Sequence, residues 1–170
     1  MRVALQCHPD APSLAISGIE VEVDRLSLAA VALHYVVHGD IAELLLPRPI
    51  NPIRTDGLWQ HTCFEAFLGA VPGYFEYNFA PSTAWAAYRF DEYRAGMRDA
   101  DVTPPRIATR IAPGRFDLDV ELALRGEGAL GLSAVIEETS GAKSWWALAH
   151  PPGAPDFHHP DCFALPLPPA

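Results

Sequence analysis

Between Leu58 and Arg94 the chain reads LWQHTCFEAFLGAVPGYFEYNFAPSTAWAAYRFDEYR, and most of the residues with useful side-chain chemistry fall in this stretch. If the segments are extended, Glu65 shares a face with Cys63 and Phe67. Glu76 shares one with Tyr74 and Asn78, and Arg89 shares one with Trp85 and Ala87. The pattern predicts two carboxylates, an amide and a guanidinium projecting from neighbouring strands onto one face of a sheet. Two readings follow. Such groups line the solvated outer face of an antiparallel sheet or pair there structurally. Alternatively they form the polar floor of a ligand groove, with Glu65, Glu76 and Asn78 taking sugar hydroxyls and Arg89 fixing orientation. A glycosidase pair is disfavoured, because nearest-neighbour strand partners stand closer than such a pair requires. A nearby Arg89 would also lower both carboxyl pKa values, against a general-acid role.

Aromatic and imidazole groups are the other candidates. Trp145 and Trp146 are adjacent, so on a strand they point to opposite faces; one packs in the core and the other is free to lie at a groove. Trp59 follows Asp56-Gly57 in a loop-like stretch. A loop Trp and a strand Trp can stack on a pyranose ring, or can cover the end of a core. His61, His150, His158 and His159, with Met97, are the residue types that ligate haem, and equally the types that serve structural hydrogen bonds. No paired-ligand spacing marks a metal site. No GxSxG, Walker, GxGxxG or HExxH motif is present, so the expectation is a protein that is not an enzyme and needs no cofactor, haem being the exception.

The elements that must position these groups read as strands. Phe116, Leu118, Val120 and Leu122 alternate with Asp117, Asp119 and Glu121, and Gly114 sets a turn from a preceding run at Arg106 to Ile111. Leu130, Leu132, Ala134 and Ile136 alternate after the turn-rich RGEGALG. Ile19, Val21 and Val23 form another set. Leu28 to Val37 suits a central strand buried on both faces, and Ile41 to Leu46 follows as a strand after His38-Gly39-Asp40. Cys63 to Leu68 and Tyr74 to Phe79 flank GAVPG as a hairpin, and Trp85 to Phe90 returns as a third strand. Only Phe90 to Arg98 has local helical character. Many short strands separated by turns predict an all-β sandwich or barrel formed by residues 1–170 as one domain.

The totals agree. A chain of 170 residues, 49% hydrophobic and 19% charged, can bury a full core without staples. A net charge of -9 repels phosphate backbones and anionic membranes, so neither nucleic acid nor a membrane is the expected partner. Three widely spaced cysteines, Cys7, Cys63 and Cys162, give no disulfide framework. The early apolar run stops at Gln6 and Pro9, too short for a signal-peptide core, and a cytoplasmic location is expected.

LWQHTCFEAFLG followed by YFEYNFAPSTAWAAYRFDEYR resembles the central hairpin of DOMON-like domains, relatives of the family 9 carbohydrate-binding modules. SWWALAHPPGAPDFHHPDCFALPL resembles the closing strands of that family, in which a Pro-Asp-Phe-His loop leads to a last Phe-x-Leu strand. The resemblance covers about Gly57 to Arg98 and Ser144 to Leu167. It implies an antiparallel β-sandwich of immunoglobulin-like or jelly-roll type whose relatives bind sugars or haem. It also implies that Trp59 and one of Trp145 or Trp146 stand near the stacking aromatics. Glu65, Glu76, Asn78 and Arg89 would then supply hydrogen bonds, with His158 in the closing loop. The expected partner is a small molecule, saccharide or haem; a protein docked on the aromatic groove is the remaining alternative.

Overall fold

A computed structural model describes residues 1–124 and 128–167. Eleven strands form among the described residues, and every pairing between neighbours is antiparallel. They are β1 (Arg2–Cys7), β2 (Ile16–Ser27), β3 (Ala30–Gly39), β4 (Cys63–Gly69), β5 (Tyr74–Phe79) and β6 (Trp85–Phe90). The rest are β7 (Arg98–Asp99), β8 (Arg106–Ala112), β9 (Arg115–Ala123), β10 (Leu130–Glu137) and β11 (Lys143–Ala147). Their order in space is β7-β6-β5-β4-β10-β11-β1-β2-β3-β9-β8. The sheet curls on itself, with β1 as the seam. Arg2 to Leu5 pair with β2, whereas Gln6 and Cys7 pair with β11.

Curling brings the inner faces of the two halves together over one apolar core. Phe64 of β4 stacks on Phe116 of β9 at 5.8 Å and tilts against Tyr35 of β3 at 5.2 Å. Val21, Val23, Leu33, Val37, Leu118, Leu132 and Ile136 fill the same core. The alternation in β9 is what aims Phe116, Leu118 and Val120 inward while Asp119 and Glu121 face water. Asp117 shares their outward face, yet it is buried: the Arg115 guanidinium grips it at 2.6 Å, and His34 lies 3.2 Å away. The Arg115 hydrogen bond holds its carboxyl below the usual range.

Three local expectations are corrected. The run from Ile41 to Leu46 is not a strand. Asp40 accepts a hydrogen bond from the Ala42 backbone N–H at 3.3 Å and caps one 3-10 turn, Ile41–Glu43. The run from Phe90 to Arg98 is not helical. Glu92 bridges to Ala95, and Arg94 and Gly96 take φ of 52° and 67°, which a right-handed helix does not admit. A Cβ on Gly96 would lie 2.5 Å from the Asp91 carboxylate. Finally, β3 is buried chiefly on one face, through Val31, Leu33, Tyr35 and Val37, while Leu28 is 82% exposed at the turn from β2. The turn read at RGEGALG falls partly on residues 125–127, outside the described residues.

Candidate functional site

The other face of the β4–β10 region is where the candidate residues meet. Because Phe64, Ala66 and Leu68 fill the core, pleating turns Cys63, Glu65 and Phe67 outward. Register then fixes their neighbours. Glu65 stands opposite Asn78 of β5 and Ser133 of β10, and Phe67 stands opposite Glu76. Glu76 in turn faces Tyr88 of β6, and Val135 faces Trp145 of β11. Glu65 and Glu76 are thus diagonal neighbours on adjacent strands.

This face is covered, not solvated. Segments 91–97 and 148–165 fold over it, and Asp156 latches them together. Arg94 donates to its Oδ1 from Nε at 3.2 Å and from Nη2 at 2.7 Å. The Tyr93 hydroxyl donates to Oδ2, and the His158 backbone N–H to Oδ1 at 3.1 Å. Phe157, His158 and Phe163 then pack on Phe67, Tyr74 and Phe90. Between cover and sheet lies a cavity of about 430 Å³, lined by Trp59, Glu65, Glu76, Phe90, Arg94, Met97, Val135, Trp145, Phe157 and His158. That volume lies within the range of small-molecule sites.

The floor is electrostatically unusual. Glu65 and Glu76 are 3% and 5% exposed. The Ser133 hydroxyl donates to Glu65 Oε2 at 3.3 Å, and the Asn78 amide donates to Glu76 Oε1 at 2.6 Å. Burial pushes the Glu65 carboxyl well up, and the Glu76 charge pushes it further; the Ser133 hydrogen bond only partly offsets this. Burial also raises Glu76, against the Asn78 hydrogen bond and the Arg94 charge. His158 is pushed down to about 4, first by burial and then by Arg94, so it is neutral at pH 7. Its Nδ1 lies 2.8 Å from the Tyr74 hydroxyl, whose oxygen already accepts from the Arg94 backbone N–H at 3.2 Å. The other ring nitrogen, Nε2, lies 3.8 Å from Glu76 Oε2. Tyr88 on the neighbouring strand donates to Asp56 at 2.8 Å, anchoring the loop that carries Trp59.

Of the residues predicted from sequence, Trp59, Glu65, Glu76, Trp145 and His158 line one cavity. Asn78 lies beneath them, fully buried, bridging Glu76 and the Cys63 thiol. Trp146 belongs to the opposite face: it packs in the main core, with its indole N–H on the Ser144 hydroxyl at 2.9 Å. Arg89 is also corrected. It pairs in register with Phe75, on the face opposite Glu76, and its guanidinium caps the carbonyls of Pro72, Tyr74 and Phe90 while lying over the Phe75 ring. The cation at the site is Arg94, which the sequence did not single out. Met97 does reach the cavity, whereas His61 pairs with Glu137 at 2.7 Å and His150 bonds the Gln6 carbonyl at 2.8 Å, both elsewhere. Among the described residues no group of three or more potential ligands is arranged to hold a metal ion, and no helix is long and apolar enough to cross a membrane.

No protein-family model matches the chain, and no curated protein matches it.

Proposed function

We propose that the protein is a non-catalytic binding module for a small polyhydroxylated ligand, a saccharide in the first instance, held in the cavity under the Asp156 latch. The observation that carries this reading is the joint placement of two tryptophans and two buried carboxylates around one space of about 430 Å³. Trp59, 52% exposed, and Trp145 supply flat apolar surface of the kind that stacks on a sugar ring. Glu65 and Glu76 supply directional hydrogen-bonding groups at the base. A binding role is favoured over hydrolysis because both carboxyls are raised together, whereas acid and base roles need environments that push two groups apart.

In the same reading the curled sheet is a β-sandwich of the immunoglobulin-like or jelly-roll type, supported by the contact of Phe64 with Phe116 across its two halves. The resemblance of the central and closing segments to DOMON-like domains points the same way. The charge of -9 supports a soluble, cytoplasmic module that avoids nucleic acid and anionic membranes. Haem fits these residues poorly. Met97 and His158 line one cavity, but the imidazole has Nδ1 engaged by Tyr74 and Nε2 turned to Glu76, and the floor is carboxylate.

Tryptophan fluorescence, titrated with a panel of sugars and separately with hemin, tests the reading. A saturable shift with a sugar, lost in Trp59→Ala, supports it. A Soret band with tight quenching by hemin would replace it with haem binding. No response to either would leave a protein-docking module in its place.

A further inference from the structure

The charges around the cavity do not balance. Glu65 and Glu76 come from β4 and β5. Facing them are the Ser133 hydroxyl from β10, the Cys63 thiol and Asn78 amide beside them, Tyr74 at the start of β5, Tyr88 from β6, and Arg94 and His158 from the cover. Arg94 is the one cation among these groups, and Asp156 already neutralises it through two hydrogen bonds. His158 is neutral at pH 7. The carboxylates therefore have no cation in direct contact, and Arg94 acts on Glu76 only from the far side of its pair with Asp156. The hydrogen bond that Glu65 receives from a side chain is the long one from the Ser133 hydroxyl to Oε2, 3.3 Å, and the residue, 3% exposed, lines the cavity. Ionising a buried carboxyl with so few donors is costly, whereas a cationic partner turns the same burial into strong charge-assisted bonding. The same cavity is lined by Trp59, Phe90, Trp145 and Phe157, and aromatic rings attract a cation through their faces.

We infer that the cavity takes a ligand bearing a primary ammonium group, and that this group seats on Glu65 and Glu76 beneath the aromatic walls. Resting on the saccharide reading above, the ligand class is an amino sugar: a hydroxylated ring carrying a free, unacetylated amine. An ammonium has three donors and no acceptor, which matches two carboxylates that are acceptors once ionised. A neutral hydroxyl matches them less well, since it brings no charge to offset theirs. Where burial keeps a carboxyl of the floor protonated, the entering ammonium displaces that proton, so binding releases protons to the buffer.

Isothermal titration calorimetry on the whole chain at pH 7, in two buffers of different ionisation enthalpy, compares glucosamine with glucose and N-acetylglucosamine. Benzylammonium against benzyl alcohol is run as a second pair. The inference expects glucosamine to bind at least tenfold tighter than either neutral sugar, with proton release, and benzylammonium to outbind benzyl alcohol. The preference should collapse in Glu65→Gln and Glu76→Gln. Equal binding of all three sugars, with no advantage for benzylammonium, overturns the ammonium seat and leaves the saccharide reading standing. Binding of benzylammonium with no sugar binding overturns the saccharide reading and leaves the seat. Failure of all five compounds overturns both, and a preference for glucosamine that survives both substitutions places its amine elsewhere and overturns the seat.

Discussion

Glu65→Gln should make the ligand-free protein more stable at neutral pH, and the gain should depend on pH in a defined direction. The amide is nearly isosteric and keeps an oxygen for the Ser133 hydroxyl, so little packing is lost. In the unfolded chain a glutamate releases its proton near pH 4.3, at about its ordinary pKa. In the fold, burial and the Glu76 charge raise that pKa. Between the two values the native state holds a proton that the unfolded state has lost, so native stability falls as pH rises. One proton corresponds to a slope of about 1.4 kcal/mol per pH unit. For a domain of this size that is roughly 3–6 °C of Tm per unit. His158 works in the opposite sense, because its folded pKa of about 4 lies below the ordinary imidazole value. It strengthens the fold as pH rises to about 6.5 and is flat above. Being common to both proteins, it cancels in the difference. Urea melts of wild type and Glu65→Gln at pH 4.5, 5.5, 6.5 and 7.5 give that difference directly. It should start near zero, grow with pH in favour of the variant, and level off. A difference that stays constant, or that grows in favour of wild type, refutes the account of the floor as an uncompensated carboxyl pair.

Other expectations are simpler. Trp59→Ala should abolish the fluorescence response to ligand while lowering Tm by only a few degrees, because half of the side chain is exposed; a loss on the scale of a core truncation would mark it as structural. Phe64→Ala, which removes the ring shared by Tyr35 and Phe116, should cost about 3–5 kcal/mol in urea unfolding. Asp117→Asn should lower stability at pH 7 by about 1–3 kcal/mol, through loss of the charged hydrogen bonds from Arg115. Since Arg115 depresses the Asp117 pKa, that deficit should persist above about pH 4 and vanish in acid melts as the wild-type carboxyl protonates.

Much of the strand map was legible because polar and apolar residues alternate between turn-forming residues. Trp85 to Phe90 has the bounds read from sequence, and Phe116 to Leu122 lies inside β9. The two carboxylates were placed on a common face by the strand period alone, and the register of β4 with β5 sets Glu65 opposite Asn78, two residues along from Glu76. Arg89 failed for the complementary reason. In WAAYRF nearly every residue is buried, so the side facing the core carries no contrast with the side facing the cover. Only pairing with β5 decides the facing, and a shift by one residue reverses it. The cover itself was invisible in the pattern. Arg94 and Asp156 meet across 62 residues of sequence, in segments with no period to read. The turn at Asp40 was readable in principle, since an aspartate before a short apolar run is a capping signal that competes with the strand reading.

The seam at β1 bears on how the molecule comes together. Gln6 pairs with Ala147, and Cys63 of β4 pairs with Val135 of β10. The hairpins β2–β3, β4–β5 and β8–β9 close from neighbouring residues, but each half of the curl is completed only by segments made far apart in time on the ribosome. The carboxylate floor is the extreme case, for Ser133 and Trp145 reach it only after the hairpin holding both glutamates has waited through most of the remaining chain. Such a high contact order makes assembly slow. While the segment 63–79 is not yet covered, Glu65 and Glu76 face water and place two negative charges in a stretch that is otherwise mostly apolar. The residues that burden the finished fold thus guard its unfinished form against self-association.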